Sequence, residues 1–436
     1  MLGFLRTIIP ERSPARLGYH KFMAMIAAVV FRFPSNGMKV IAVTGTSGKT
    51  TTAGIIYHLL QSSGRKCGLI CTSHFQIGDK FMPNKSLRTT LRAWTAQSLL
   101  RKMVRERCEF VVLEVSSHAI DQNRIWGINI DTAVLTNISE NEHLDYHGNF
   151  ADYIHTKAGL FRQLNASKRK PNVAKMSILN RDDRHYDLFE EIPSDRKWSY
   201  SLGKSADFTV QDVSLNEHGI KFTLPLPNHV LKIETPMIGK HNLMNLLAGI
   251  TTAATVGVEV EQIPEILKTF TGVPGRLEAV NEGQSFGCVV DFSYKPSALK
   301  AVLETLRNIV KGRIIIVWGG AGGRSPENRA ESAKLINDMA DHFVLTTDDP
   351  YEEDPRKIAE EIKQFITRKE GDRFFEIEDR YEAIRYACYI AEAGDLVLIA
   401  GRGHEVVQTI GKQKIRFDDR EVAREILQFA KKQDLL

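Results

Sequence analysis

The chain has 436 residues, of which 25% are charged and 43% are hydrophobic, and its formal net charge is +5. This length allows two or three domains with sizeable cores, and the composition is typical of a soluble globular protein. The mild charge, without a basic stripe interleaved with aromatic residues, argues against nucleic acid as a partner. The five scattered cysteines indicate reduced thiols, so we expect a cytoplasmic protein.

The first predicted element is a helix near the N-terminus. Residues 22–31 form an apolar run between Lys21 and Arg32. The run is too short to cross a bilayer, and residues 1–9 have no charged leader followed by a cleavage site, so we expect no secretory signal. The run predicts a packed amphipathic helix. The alternative is a contact of residues 1–33 with a membrane surface, helped by the flanking basic residues.

A glycine-rich loop follows at residues 45–51, between an apolar run at 40–43 and a helical pattern. Such a loop directs successive backbone N–H groups at a phosphate, and the helix N-terminus adds its dipole. A lysine here reaches the outer phosphates, and a threonine hydroxyl binds Mg²⁺. The loop therefore predicts bound ATP and Mg²⁺. The residues of this predicted phosphate site are Gly45, Thr46, Ser47, Gly48, Lys49, Thr50 and Thr51.

From residue 38 onward, short apolar runs alternate with helical patterns, which is typical of a parallel, doubly wound sheet. Residues 208–233 instead alternate between polar and apolar side chains, and we predict an antiparallel appendage there. A helix at 241–256 and a turn-rich segment at 273–276 follow. The runs predicted as buried strands before the appendage are 67–71, 110–115, 132–135 and 176–179.

A second series of strands and helices begins near residue 275. The fold class is therefore α/β, with a P-loop-type doubly wound central domain that carries the antiparallel appendage, and a C-terminal Rossmann-like α/β domain. The predicted boundaries are 1–37 for a short helical segment, 38–274 for the central domain and 275–436 for the C-terminal domain. The strands predicted in the last of these are 287–291, 313–318, 342–345 and 396–400.

Polar side chains follow the strands near the glycine loop. Glu114 comes directly after a buried run, where a carboxylate is well placed to bind Mg²⁺. His143 lies after the next run, in a segment with a second histidine and an aspartate. Lys157 comes four residues after Tyr153 on a predicted helix, so both side chains lie on one face. These groups predict a polar site at the ends of the strands.

Taken in order, these motifs resemble those of the Mur ligases, the ATP-dependent amide-forming enzymes of peptidoglycan synthesis. The resemblance is greatest to the synthetases that add the third amino acid to UDP-N-acetylmuramoyl-L-alanyl-D-glutamate, and it extends over residues 38–425. It implies that ATP converts an acceptor carboxylate to an acyl phosphate, which the amine of an amino acid then attacks. The matching segments are 44–51, 114–118, 143–148, 153–161, 239–242, 275–276, 348–350 and 401–405.

The resemblance implies roles for residues at the phosphate loop. Lys49 and Thr50 would hold the ATP phosphates and the first Mg²⁺, while Glu114 and His143 would serve a second metal site. Lys157 matches a lysine that the family carries as a carbamate, an anionic CO₂ adduct able to orient Mg²⁺. The further residues that match ATP-binding positions of the family are Asn242, Arg276 and Asp291.

The resemblance also implies substrate contacts. Arg324 matches the arginine that holds the carboxylate of the incoming amino acid. Gly401 permits a close approach of the backbone to a ligand, and Glu405 offers a carboxylate for an amine. The residues that match the binding site of the muramyl-dipeptide acceptor are Thr89, Thr90, Ser116, Gln122 and Arg124.

The chain departs from the family in places that concern its substrates. The family has an N-terminal UDP-binding domain, whereas 37 residues precede the central domain here, so the carrier of the acceptor is left open. Tyr294 stands where a histidine near the nucleotide is usual. Members that use meso-diaminopimelate have Asp-Asn-Pro-Arg where this chain has Asp348 and Asp349 followed by Pro and Tyr351, which cannot replace a bidentate arginine.

Asp349 together with Glu405 suits a distal ammonium group, so we predict a diamino acid without a distal carboxylate, such as L-lysine. The sequence leaves two alternatives for the function as a whole. One is a ligase of another branch of the superfamily, similar to folylpolyglutamate synthase or a polyamide ligase. The other is a nucleotide-binding scaffold with an altered catalytic site. The oligomeric state is not predicted.

Overall fold

A computed structural model of the chain describes residues 12–84, 86, 88–140, 144–216 and 219–433. The chain divides into two compact units, which we describe separately. The first consists of Met1–Asp212, Phe222–Ile233 and His241–Leu267, and the second of Val213–Lys221, Glu234–Lys240 and Lys268–Leu436. The domain boundaries predicted from the sequence, and the functions assigned to those domains, remain predictions.

Helix α1 (Pro14–Val30) is longer than the apolar run that predicted it. Ser13 caps its N-terminus and a proline occupies its first turn, which favours helix initiation. Ala24 and Ala27 are fully buried and pack with Ala93 of the first unit. Within the described part of the chain, no helix has the length and apolar character needed to cross a membrane.

The first unit is built on a mixed sheet. In the described residues it has nine strands in the order β4-β3-β2-β5-β1-β6-β7-β8-β9, and only β3 and β4, at one edge, are antiparallel to their neighbours. The bounds are β1 (Lys39–Thr44), β2 (Cys67–Ile70), β3 (His74–Ile77), β4 (Lys80–Pro83), β5 (Phe110–Glu114), β6 (Thr132–Leu135), β7 (Met176–Asn180), β8 (Arg196–Ser201) and β9 (Phe208–Thr209).

The central strands are apolar along their whole length because helices cover both faces of the sheet. Strand β1 lies between β5 and β6 and runs parallel to both. The glycine loop after β1 and Glu114 at the end of β5 therefore meet at the carboxyl ends of the strands. The helices of this part are α2 (Lys49–Ser62), α3 (Ala93–Arg105), α4 (Ser117–Asp121), α5 (Leu144–His147), α6 (Phe150–Ala166) and α7 (Tyr186–Glu190).

The predicted appendage is a separate sheet with strand order β10-β11-β12. Its strands are β10 (Gln211–Asn216), β11 (Gly219–Leu226) and β12 (His229–Thr235), and the two-residue link after β11 requires an antiparallel hairpin. The appendage starts slightly later than predicted, because β9 pairs in parallel with β8 in the main sheet. Helices α8 (Lys240–Thr255) and α9 (Ile263–Lys268) follow.

The second unit has a six-stranded sheet in its described residues, with the order β13-β14-β18-β15-β16-β17. Only the first of these strands runs antiparallel to its neighbour. The strands are β13 (Glu278–Ala279), β14 (Gly287–Asp291), β15 (Ile314–Trp318), β16 (His342–Leu345), β17 (Phe374–Glu376) and β18 (Leu396–Ala400), and β19 (Val407–Ile410) and β20 (Gln413–Arg416) form a hairpin.

Two hydrophobic clusters cover the two faces of this second sheet. Helices α10 (Pro296–Arg307), α11 (Pro326–Met339) and α12 (Pro355–Lys363) contribute to one cluster, and α13 (Arg380–Tyr389) and α14 (Asp419–Lys432) to the other. This is a doubly wound arrangement, so the α/β fold class predicted from the sequence is confirmed in both units.

Candidate active site

The phosphate loop requires glycine at both of its glycine positions. Gly45 has a φ angle of 151° and Gly48 one of 77°, which non-glycine residues rarely adopt. A Cβ atom at Gly45 would collide with the hydroxyl oxygen of Thr136, and one at Gly48 with the side-chain oxygen of Asn245. Helix α2 begins directly after Gly48 without a side-chain cap, so its first N–H groups are available to a phosphate.

Two lysine side chains converge on the carbonyl oxygen of Gly45. Lys49 Nζ donates to this oxygen at 3.0 Å and Lys157 Nζ at 2.7 Å. Lys157 is buried on α6, and its ammonium nitrogen lies 4.9 Å from the ring centre of Tyr153, one turn earlier. Burial and the charge of Lys49 lower the pKa of Lys157 well below its usual range. Lys49 and the N-terminus of α2 therefore give the loop the positive potential that fits a polyphosphate, whereas the surroundings of Lys157 favour its neutral form.

Glu114 collects hydroxyl and backbone donors beside the loop. Its Oε2 atom accepts hydrogen bonds from Thr50 Oγ1 at 3.0 Å and from both the backbone N and the hydroxyl of Thr72 at 2.8 Å. A carboxylate and a hydroxyl are oxygen ligands of the kind that Mg²⁺ prefers, with water and phosphate oxygens completing its shell. The pair of Thr50 and Glu114 therefore fits Mg²⁺.

No group of three His, Cys, Asp or Glu side chains that could hold a metal ion occurs among the residues that the structure describes. His143, predicted as a second-metal ligand, lies outside the described residues.

The remaining loop residues are held by the segment after β6 and by α6. Thr46 N donates to Asn137 O at 2.7 Å, and Ser47 N donates to Asn137 Oδ1 at 3.0 Å. The hydroxyl groups of Thr46 and Tyr153 are 2.8 Å apart. Thr51 is buried in the first turn of α2. These bonds fix the loop conformation.

Asn242, a predicted ATP contact, is buried on α8. Its Oδ1 atom accepts a hydrogen bond from Asn245 Nδ2 at 3.2 Å, and Asn245 Oδ1 accepts one from Thr52 Oγ1 at 3.3 Å. Asn242 is thereby connected to the helix that follows the phosphate loop.

Four of the five predicted acceptor residues form one hydrogen-bonded group. Thr90 Oγ1 accepts a hydrogen bond from Ser116 N at 2.9 Å, and the two hydroxyl oxygens are 3.2 Å apart. Arg124 donates from Nη1 to Thr90 O at 3.2 Å and from Nε to Gln122 Oε1 at 2.9 Å. Thr89 is half-buried next to this group. Residues distant in sequence are thus brought together at one end of the sheet.

In the second unit, the six residues predicted to bind the amino acid line one cavity of about 110 Å³. Arg324 lies over the ring of Tyr294, 5.2 Å from its centre, in the same cavity. Tyr351 has a left-handed backbone with φ 51°. The predicted residues that line the cavity are Arg324, Asp348, Asp349, Tyr351, Gly401 and Glu405.

Asp349 is paired with an arginine that the sequence reasoning missed. Arg402 is fully buried, and its Nη1 atom lies 2.7 Å from Asp349 Oδ1, which also accepts a hydrogen bond from Thr409 N at 2.7 Å. Arg402 lies between two glycines directly after β18, and this placement is the signal that could have identified it. Because its charge is balanced, Asp349 is less available to a substrate ammonium than Glu405.

Two carboxylates of the cavity have raised pKa values. Burial raises the pKa of Glu405 to about 7, with a further contribution from the charges of Asp348 and Asp349. Burial likewise raises the pKa of Asp348 to about 6, against the opposing effect of Arg380 and Arg402. A cationic ligand would favour the charged form of both carboxylates.

Arg276 and Asp291, the other two predicted ATP contacts, lie together near the start of the second unit. The Arg276 guanidinium is 5.5 Å from the ring centre of Phe292, and Asp291 Oδ2 accepts a hydrogen bond from Leu277 N at 2.7 Å. Burial raises the pKa of Asp291 although Arg276 opposes the shift. Within the described residues, the buried Nε of Arg276 has no hydrogen-bond partner, which suits an anionic ligand.

Comparison with known proteins identifies the class to which this fold and phosphate loop belong. The model of the Mur ligase middle domain matches residues 43–253, and that of the Mur ligase, glutamate ligase domain matches residues 275–403. The chain belongs to the Mur ligase family, whose members are ATP-dependent, ADP-forming ligases that require Mg²⁺. The resemblance recognised in the sequence is confirmed.

Individual relatives carry a more specific name. A protein of Geobacillus kaustophilus named UDP-N-acetylmuramoyl-L-alanyl-D-glutamate–2,6-diaminopimelate ligase is 37% identical over 404 residues, which cover 92% of this chain and 81% of the relative. A protein of the same name from Listeria innocua is 36% identical over 402 residues, with the same coverage. A solved structure of a ligase with this name has a TM-score of 0.68 and 33% identity, covering 90% of this chain and 79% of that one.

Proposed function

We propose that this chain uses ATP to join a diamino acid to a carboxylate of a UDP-N-acetylmuramoyl-L-alanyl-D-glutamate-like acceptor, in the synthesis of peptidoglycan precursors. The observation that carries the proposal is the convergence of Lys49 and Lys157 on the glycine loop beside Glu114, in a chain similar to ligases named for that acceptor. A ligase of another superfamily branch and a catalytically altered scaffold are not favoured by these relatives.

The proposed reaction has two steps. An acceptor carboxylate oxygen bonds to the γ-phosphorus of ATP as the bond to the bridging oxygen breaks, which releases ADP. The amine nitrogen of the amino acid then bonds to the acyl carbon, phosphate leaves, and the nitrogen loses a proton. Lys49 and the helix N-terminus bind the phosphates, so catalysis is positioning and charge neutralisation. Mg²⁺, when bound, supplies further neutralisation of phosphate charge.

The residue assignments follow the domain boundaries predicted from the sequence. Residues 38–274 would bind ATP and the acceptor, and residues 275–436 would bind the amino acid and contribute nucleotide contacts. Thr50 and Glu114, with His143 and Lys157, would hold Mg²⁺. The proposed ATP contacts are Gly45, Thr46, Ser47, Gly48, Lys49, Thr50, Thr51, Asn242, Arg276 and Asp291. The proposed contacts of the acceptor and amino acid are Thr89, Thr90, Ser116, Gln122, Arg124, Arg324, Asp348, Asp349, Tyr351, Gly401 and Glu405.

Phosphate release with acceptor and amino acid present tests the catalytic assignment. We expect Lys49→Ala and Lys157→Ala each to lower the rate by about 100-fold or more, since the first removes a cation from the phosphate site and the second removes the proposed Mg²⁺ ligand. The exposed Lys357→Ala variant is the matched control and should retain the wild-type rate. Wild-type rates in both site variants would contradict the proposal.

We further propose that Lys157 is carbamylated. Burial and Lys49 lower its pKa, which raises the fraction of neutral amine able to bond to the carbon of CO₂ and lose a proton. Together with Thr50 and Glu114, the resulting anion would hold Mg²⁺. Carbon-13 NMR with labelled bicarbonate should give a carbamate signal that is absent in Lys157→Ala. Its absence from the wild-type protein would rule the modification out.

For the amino acid, we propose a preference for L-lysine over meso-diaminopimelate, although the relatives are named for the latter. Glu405 offers a carboxylate to a distal ammonium, and Tyr351 cannot pair with a second carboxylate. An amino-acid panel with phosphate release tests this preference. Faster turnover with meso-diaminopimelate would contradict it, and the Tyr351→Arg variant should shift the preference toward that substrate.

We also propose a cytoplasmic enzyme that touches an anionic membrane surface through residues 1–33. Tyr19, Phe22 and Val29 on α1 are each more than half exposed, and residues 12–78 contain no Asp or Glu. Sedimentation with phosphatidylglycerol vesicles tests this contact. Phe22→Asp should lower binding, and Tyr389→Asp, at an exposed aromatic of the second unit, should not. Equal recovery with phosphatidylcholine vesicles, or no binding, would contradict the contact.

A further inference from the structure

A single arginine from the N-terminal segment connects three helices of the first unit. Arg12 donates from Nη1 to His147 O at 2.8 Å and to Asp152 Oδ2 at 3.1 Å, and its Nε lies 3.5 Å from Asp121 Oδ2. These acceptors lie at the end of α5, in the first turn of α6 and at the end of α4. The planar guanidinium has five N–H donors in a fixed fork, which lets it contact all three acceptors.

Asp121, one of these acceptors, belongs to a chain of hydrogen bonds. The hydroxyl of Tyr146 donates to Asp121 Oδ2 at 2.8 Å, and Gln122 Nε2 donates to the Tyr146 oxygen at 3.0 Å. Gln122 Oε1 accepts from Arg124 Nε at 2.9 Å. The guanidinium of Arg12 also lies 5.9 Å from the centre of the Tyr146 ring. The path from Arg12 to Arg124 is therefore continuous, and we name it the Arg12 network.

The orientation of the amide in this network depends on Asp121. The Tyr146 hydroxyl has one proton, which it donates to Asp121, and its oxygen accepts a hydrogen bond from Gln122. Gln122 then presents its carbonyl oxygen to Arg124, which in turn donates to Thr90 O. Arg12 is the cation that balances the partly buried Asp121 carboxylate. Without it, the Asp121 carboxylate that receives the Tyr146 proton loses its cationic partner.

We propose that Arg12 is a positioning residue for the acceptor site, because it fixes the direction in which Gln122 and Arg124 face their ligand. The inference rests on the proposed function, in which these two residues bind the muramyl-peptide acceptor. Arg12 itself does not contact the reacting groups. Its loss should therefore weaken acceptor binding, while ATP binding and the chemical step stay near wild-type levels.

Arg12 also touches α6, the helix that carries Lys157, and this contact gives the competing explanation. If the bond to Asp152 were the important one, removing Arg12 would disturb Lys157 and lower kcat. The two aspartates separate the explanations, because Asp121 leads to Gln122 and Asp152 lies in the first turn of α6. Asp121→Asn should reproduce the effect of Arg12→Ala, and Asp152→Asn should not.

Steady-state kinetics with the full chain tests the inference. Arg12→Ala should raise KM for the acceptor about fivefold, as expected for the loss of a partly exposed ion pair, with kcat and KM for ATP within about twofold of wild type. Arg12→Lys, which keeps the charge without the fork, should give an intermediate KM. Lys102→Ala, at an exposed lysine on α3, is the charge-matched control and should behave as wild type.

The double variant Arg12→Ala with Asp121→Asn should be no worse than either single variant, since both act through one path. An unchanged acceptor KM in Arg12→Ala, or a fall in kcat shared with Asp152→Asn, would overturn the inference. Calorimetric measurement of acceptor binding distinguishes a failure of the Arg12 inference from a failure of the proposed function. If wild type binds the acceptor without ligating it, the proposed function fails while Arg12→Ala still tests positioning; if wild type does not bind it, both fail.

Discussion

At the scale of single residues, the phosphate loop combines backbone geometry and charge that no one side chain provides. Gly45 offers its carbonyl to Lys49 and Lys157, and Gly48 leaves the start of α2 uncapped. The role of Lys49 was predictable from its place in the loop, because phosphate-binding loops carry a lysine at that position. The sequence could not predict Thr72 as a partner of Glu114, since this contact depends on how β2 and β5 pair.

Gly48→Ala tests the loop geometry. The backbone strain of a non-glycine residue at this φ angle costs about 1–3 kcal/mol, and the added methyl group meets Asn245 Oδ1. We expect lower stability together with a higher KM for ATP. Gly371→Ala is the matched control, because Gly371 has φ 86° with no atom near an added Cβ. It should lose stability through strain alone and keep the wild-type KM for ATP.

Thermal or denaturant unfolding gives the stability of both glycine variants, and initial rates at varied ATP give KM. If Gly48→Ala retained the wild-type KM for ATP, the loop would not have the role assigned to it.

The raised pKa of Glu405 predicts how the affinity for the amino acid depends on pH. Its pKa is raised to about 7, so the carboxyl is protonated below that pH and cannot pair with an ammonium. The Kd for L-lysine should fall as pH rises toward 7, by up to about tenfold per pH unit. Calorimetry at several pH values measures this, with Glu405→Gln expected to flatten the profile and the exposed Glu352→Gln expected to leave it unchanged.

The effect of Glu405 on folding stability has the opposite pH dependence to its effect on L-lysine binding. The native state binds the Glu405 proton more tightly than the unfolded state, so this residue lowers the free energy of unfolding as pH rises from about 4.5 to about 7. A Kd for L-lysine that is independent of pH in the wild-type protein would contradict the role of Glu405.

At the scale of elements, apolar strands were predictable and short polar ones were not. Strands such as β5 and β18 are buried along their whole length, so they appear in the sequence as unbroken apolar runs. Strands β4 and β20 are mostly exposed and lack that signal. Helix α1 was predicted only in part, because its N-terminal half is capped by Ser13 yet contains few buried residues.

Helices α13 and α14 are joined by a buried ion pair that tests the packing of the second unit. Arg380 and Asp419 are 1% and 0% exposed, with donor–acceptor distances of 2.8 and 2.7 Å. Arg380→Ala should lower the free energy of unfolding by about 3–5 kcal/mol, because it leaves a buried carboxylate uncompensated. Arg416→Ala breaks the exposed pair with Glu421 and should cost at most about 1 kcal/mol.

Denaturant unfolding of the two arginine variants measures the difference. Equal losses of stability would contradict the assignment of Arg380 to the core of the unit.

At the scale of the whole molecule, the family and the α/β class followed from ordered motifs, whereas strand order did not. The sequence shows that strands and helices alternate, but β1 lies between β5 and β6 only because of long-range pairing. The same holds for the amino-acid cavity, where Arg324, Asp348 and Glu405 come from three separate loops. Arg402 was missed because its burial beside Asp349 depends on that assembly.

The most direct test of the central claim is mass spectrometry of the acceptor after incubation with the purified protein, ATP, Mg²⁺ and a diamino acid. UDP-linked and UDP-free muramoyl-L-alanyl-D-glutamate should be supplied in parallel. We predict that an acceptor gains the mass of one diamino-acid residue and that one ADP forms for each amide bond. If the UDP-linked and the UDP-free acceptor both kept their mass, whether or not ATP is consumed, the account would be contradicted.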